Sequence, residues 1–272
     1  MANTKESLDF EGKFINEFNN NSDYRKLINN LLGTNYIRAE KSSFGSVSPS
    51  WARLSNKTGR EVPKSDLYFV TPEGDKKGTS LKNGTGRATS SNYRETLALF
   101  ETVYNNNFGK YPNGSQLRKD IDAFFGTWEP CGTVTSCRPR ITEIKANKRQ
   151  QEGWTQWLET NLPEDQRQVL KHIECASKLN PMAKSIRDNH PEFVLDVVAE
   201  TLSGKLKFGN NSLSYAAHYI VCEKDEPGAV KIVTNTNLSS DAFRNECEKI
   251  RNGGSINVAM KSSGIKKWIR FM

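Results

Sequence analysis

The stretch from Leu67 to Lys82 constrains the fold more than any other part of the chain. Leu67-Tyr68-Phe69-Val70 is a compact β-prone run, Thr71-Pro72-Glu73-Gly74-Asp75 is turn chemistry, and Gly78 to Lys82 returns as a second strand. A hairpin is predicted. Helical periodicity lies on both sides of it. Tyr24, Leu27, Ile28, Leu31 and Leu32 recur at helical spacing before Gly33, and an earlier helix is predicted through Leu8, Phe14, Ile15 and Phe18, with residues 19–22, three Asn and a Ser, as the turn. Downstream, Tyr93, Leu97, Phe100 and Tyr104 predict a helix after the second strand. Phe193, Val194, Val197, Val198 and Leu202 predict another, ended by Gly204, with strands near 216–222 and 229–234 split by Glu226-Pro227-Gly228. Residues 36–65, rich in Ser, Gly, Lys and Arg, read as loop. Strands alternating with helices imply an α/β fold, a central mixed β-sheet flanked by helices. No strong boundary divides residues 1–272, so a single domain is expected, with a helical insertion at about 110–190.

Composition narrows the function. The 272 residues are 35% hydrophobic, enough to bury a core, and 39 Lys and Arg against 31 Asp and Glu leave a formal charge of +8. Such a balance favours a polyanionic partner. No apolar run is long enough to span a bilayer and the start MANTKESLDF lacks the order of a secretion signal, so a soluble cytoplasmic protein without a membrane partner is expected. Five widely spaced cysteines predict reduced thiols and not a disulfide framework. Cys131 and Cys137 have no second close pair, and His172, His190 and His218 stand near no recognisable nucleophile, so neither zinc nor a hydrolytic triad has a basis here.

The sharpest chemical feature is Val62-Pro63-Lys64-Ser65-Asp66 leading into the first strand, followed by Ser80-Leu81-Lys82 in the second. A tight hairpin brings the Asp66 carboxylate and the Lys82 ammonium to one end, with Ser80 and Lys82 on one face and Leu81 turned into the core. That combination suits phosphodiester hydrolysis. A carboxylate oxygen holds a hard divalent cation, and a lysine orients water or offsets charge on the phosphorane.

Asp66 followed by Ser80-x-Lys82 resembles the PD-(D/E)xK nuclease superfamily, and its surroundings look like those of type II restriction endonucleases. Glu200-Thr201-Leu202-Ser203-Gly204 with Lys207-Phe208-Gly209 is similar to the ends of several such enzymes, so the likeness spans about 55–105 and 190–272. It departs where the family's second acidic position is Ser80. The resemblance implies a restriction-endonuclease-like fold and a Mg²⁺-dependent, sequence-specific endonuclease of double-stranded DNA. Asp66, Ser80, Lys82 and Glu95 would be its catalytic residues, with Mg²⁺ on Asp66, the Leu81 carbonyl and Glu95; Glu200, Glu11 and Glu17 are the other carboxylates considered. It also implies a homodimer matched to palindromic sites, in a bacterial or phage-infected cell.

DNA contacts are expected from Arg87, in the Gly-rich stretch after the second strand, and from Lys266 and Lys267 in the basic C-terminal segment. The run Arg138, Arg140, Lys145, Lys148 and Arg149 either tracks a phosphate backbone, making 110–190 a DNA-recognition region, or forms a solvated face. Trp154 and Trp157 read as core or interface residues. Ser80 also permits a rival function, a non-catalytic DNA-binding protein on a degenerate nuclease fold, and basic charge alone does not separate DNA from RNA.

Overall fold

The computed structural model describes residues 2–43, 45–56, 60–61, 64–84, 89–129, 177–209, 213–253, 256–261 and 264–271. Helices α1 (Ala2–Asn20) and α2 (Ser22–Leu32) lead into β1 (Arg38–Lys41), β2 (Gly45–Ser46), α3 (Pro49–Ser55) and β3 (Arg60–Glu61). Strands β4 (Leu67–Val70), β5 (Lys76–Asn83) and β6 (Thr89–Asn92) precede α4 (Tyr93–Asn106), a 3₁₀ turn (Phe108–Lys110) and α5 (Gly114–Trp128). Helix α6 (177–189) is followed by α7 (Pro191–Ser203) and α8 (Lys205–Phe208). The chain then runs through β7 (His218–Glu223), β8 (Glu226–Asn235), α9 (Asp241–Gly253), β9 (Ile256–Lys261) and β10 (Gly264–Phe271).

The main sheet has five strands in the order β1-β4-β5-β7-β8, and β6-β10-β9 and β2-β3 form two smaller sheets. Neighbours in the main sheet are antiparallel except β5 and β7, which run parallel. A parallel pair cannot be closed by a tight turn, so the chain between them crosses over through helices. The sheet is therefore mixed and flanked by helices, with additional helical elements. Strand alternation sorts its residues into two cores. Leu67, Phe69, Leu81, Ile220 and Cys222 pack with Phe10, Phe14 and Phe18 of α1 and with α2, while Tyr219 and Val221 face α4, α7 and α9. Leu117, Phe124 and Trp128 of α5 and Leu179, Ala183 and Ile186 of α6 join the second core, so the described flanks of the 110–190 region are built into it.

Several local expectations change. Residues 36–65 are not one loop, because β1 and α3 lie within them. Ala39 is the one buried residue of β1, which forms a charged sheet edge: Glu40 pairs with Lys76 at 2.6 Å and with Arg38 at 2.8 Å. A strand with a single apolar residue gives no alternating pattern. Residues 19–22 are not a turn of four residues either. Helix α1 continues through Asn20, and Asn21 caps α2 by accepting from the backbone N–H of Asp23 and Tyr24, each at 3.1 Å. Only Tyr24, Ile28 and Leu32 of α2 are buried; Leu27 and Leu31 are exposed.

Gly33 and Gly204 do end their helices, both in the left-handed conformation. The β7–β8 turn sits at Lys224–Asp225, before Glu226-Pro227-Gly228. Asn83 fixes it with two bonds to Asp225, at 2.9 and 2.7 Å, and Pro227 is tolerated because β8 is an edge strand. Cys222 and Cys247 are free, buried thiols; the other three cysteines, Trp154 and Trp157 lie outside the described residues. No helix among the described residues is long and apolar enough to cross a membrane.

Candidate active site at the end of the β4–β5 hairpin

Asp66 precedes β4 by one residue and its backbone N–H donates to the Thr79 carbonyl at 2.8 Å, which anchors it to the neighbouring strand. Its carboxylate then reaches across. Asp66 Oδ2 accepts from the Leu81 backbone N–H at 2.7 Å, from Ser80 Oγ at 3.2 Å and from Lys82 Nζ at 3.5 Å. Among the described residues, the hydrogen bonds to the Asp66 carboxylate all fall on Oδ2. The charged pair remains partly open, with the Asp66 and Lys82 side chains 27% and 23% exposed, so a ligand can approach it.

Register explains why these three residues meet. Ser80 pairs with Tyr219 and Lys82 with Val221, both in the core under α4 and α7, whereas Leu81 pairs with Ile220 in the core under α1. Ser80 and Lys82 therefore share the α4–α7 face, as expected from alternation, and Leu81 points to the opposite one. The same geometry removes two of the considered carboxylates. Glu11 and Glu17 belong to α1, on the far face of the sheet, and Glu17 accepts a hydrogen bond from Asn21 at 2.7 Å. Glu95 occupies the first turn of α4, on the correct face and partly buried.

Glu200, on α7, is a further carboxylate close to the hairpin, through Lys64. It is 5% exposed, and its two oxygens accept from the backbone N–H groups of Leu206 and Lys207, each at 2.9 Å. Burial pushes its carboxyl up to about 7, although those two amides and the nearby Lys64 and Lys207 pull the other way. Lys64 links this group to the hairpin. It lies two residues before Asp66, is partly buried, and interacts with Lys82, Asp66, Lys207 and Glu200; desolvation first, then Lys82 and Lys207, push its ammonium down to about 8. Sequence reasoning did not single out Lys64 or Lys207 as site residues. The signal for Lys64 was its parity with Asp66, two residues on; Lys207 stood in the Lys207-Phe208-Gly209 stretch, but only the α7–α8 corner brings it near.

The oxygen donors can be tested against a divalent cation. Mg²⁺ takes six oxygens, usually one or two carboxylates and water. Asp66 Oδ1 and the Ser80 hydroxyl are available in kind. The N–H and C=O of one strand residue leave by the same edge, so the Leu81 carbonyl lies on the side where its N–H meets Asp66. The set fits a cation held largely through water. No group of three or more His, Cys, Asp or Glu side chains able to hold a metal occurs among the described residues.

Of the expected DNA contacts, Lys266 and Lys267 lie in β10, within the irregular register between Gly264 and Trp268. Arg87, Arg138, Arg140, Lys145, Lys148 and Arg149 lie outside the described residues. In comparisons with protein-family models, curated proteins and solved structures, nothing matches this chain.

Proposed function

We propose that the protein is a Mg²⁺-dependent endonuclease of double-stranded DNA, of restriction-enzyme type, with its reaction centre at Asp66, Ser80 and Lys82. The observation that carries this reading is the meeting of Asp66 with Ser80 and Lys82 across two neighbouring strands, at 3.2 and 3.5 Å, at a partly open end of the hairpin in a basic protein. The order of three antiparallel strands, β1-β4-β5, followed by a helical crossover to the parallel strand β7, supports a restriction-endonuclease-like core. Asp66, the Leu81 carbonyl and Glu95 of α4 would hold the cation. When bound, Mg²⁺ supplies polarisation of the scissile phosphoryl group and neutralises charge developing on it.

The chain's own groups do the rest. Lys82, held beside Asp66, would orient the attacking water or meet charge building on the phosphorane, a contribution that strengthens towards the transition state. Ser80 donates to Asp66 and so fixes the carboxylate rotamer. A symmetric pair of chains would match the two half-sites of a palindromic sequence.

Incubation of duplex DNA with the protein and Mg²⁺, against an EDTA control, tests the reading. Discrete Mg²⁺-dependent fragments are expected from the wild type and none from Asp66→Ala or Lys82→Ala. A fully active Lys82→Ala protein would remove the assignment. A non-catalytic DNA-binding protein is the second reading, favoured by Ser80 at the place of a second acid; it predicts retention of DNA with no cleavage under any divalent cation.

A further inference from the structure

Three lysines gather where the start of β4 meets the α7–α8 corner. Lys64 interacts with the ammonium groups of Lys82 and Lys207, and with the acids Asp66 and Glu200. The backbone is shaped to let Lys64 in. Gly204, at the α7–α8 corner, adopts φ +67°, and a Cβ there would stand 2.9 Å from the Lys64 Cβ. Lys207 is held from the other side. Its Nζ lies 5.6 Å from the Trp51 ring centroid and 5.3 Å from that of Phe208, and its main-chain N–H is tied to Glu200 at 2.9 Å.

Gathering like charges in a partly desolvated corner costs free energy in the unliganded protein, and an anion entering between them recovers it. A polyanion whose phosphates repeat along a backbone presents a second anionic group next to the one at the reaction centre. We propose that Lys64 and Lys207 form a clamp for the DNA phosphate adjacent to the scissile one. The clamp rests on the DNA-cleaving reading and adds a substrate-holding subsite to it. Its contacts are to phosphate only, so it contributes affinity and register without sequence preference.

Salt dependence of binding to a short DNA duplex, measured by fluorescence anisotropy in EDTA so that no strand is cut, provides the test. Each lost phosphate contact lowers the slope of log affinity against log salt by about 0.9. Lys64→Gln and Lys207→Gln should each lower it by that amount, and the double variant by about twice as much. Lys205→Gln, the same charge change at an exposed position on the same turn, should leave the slope unaltered. Lys64→Arg and Lys207→Arg keep the charge and should keep the slope, which separates a lost contact from a damaged fold. Wild-type slopes in both Gln variants, or an equal fall in Lys205→Gln, would overturn the clamp while leaving the nuclease reading in place. A wild-type protein that does not bind the duplex overturns the DNA reading and the clamp with it.

Discussion

Two buried groups on opposite sides of the sheet are expected to hide each other's pH dependence. His218 is 5% exposed; its Nδ1 meets Asn235 Oδ1 at 2.9 Å and its Nε2 meets Tyr36 Oη at 2.6 Å. Desolvation, chiefly, pushes its imidazolium down to about 4 from 6.5. Between those values the unfolded chain binds more protons, so stability falls as pH falls. Glu200 has the opposite sign. Its carboxyl is raised to about 7 from 4.5, the folded chain binds more protons in that window, and stability falls as pH rises.

From about pH 5 to about pH 6 each group contributes roughly 1 kcal/mol, His218 positive and Glu200 negative, so their sum is near zero. Substitution exposes the halves. Urea unfolding at those two pH values should show His218→Gln losing about 1 kcal/mol relative to the wild-type change, and Glu200→Gln showing a relative rise of about 1 kcal/mol. Comparing changes with pH, not absolute stabilities, cancels the other carboxylates and the cost of each substitution. If all three proteins change alike over this interval, the two environments have been misread.

Other outcomes follow from the packing. Gly78→Ala would place a Cβ 2.1 Å from the Tyr215 carbonyl oxygen, so β5 must shift; a loss of about 1–3 kcal/mol in thermal or urea unfolding and a fall in cleavage are expected together. Phe69, fully buried and stacked on Tyr36 at 5.0 Å, should lose about 3–5 kcal/mol on replacement by Ala, read as a lower urea midpoint. Lys110→Met strips the buried Asp196 of an ammonium at 2.7 Å, leaving the Tyr111 hydroxyl at 2.9 Å, and should lower the melting temperature. Ser80→Ala should weaken cleavage less than Asp66→Ala, because Leu81 N–H still holds the carboxylate.

The sequence by itself determined what depends on near neighbours. Turn chemistry at 71–75 and the compact run at 67–70 made the hairpin legible, and period-two alternation put Ser80 and Lys82 on one face with Leu81 on the other. Gly33 and Gly204 marked helix ends because few other residues adopt the left-handed conformation cheaply. Edge strand β1 escaped because charge is what protects an edge, so its four residues look like loop. Tertiary structure decided which carboxylates share a face with Asp66. Glu17 and Glu200 look equivalent in sequence, yet one rides on α1 beneath the sheet and the other is buried at the α7–α8 corner. The grouping of Lys64, Lys82 and Lys207 also belongs to the tertiary level, because it joins positions more than a hundred residues apart through the parallel pairing of β5 with β7. Periodicity specifies which face of an element is apolar, but only packing selects the partner that face meets.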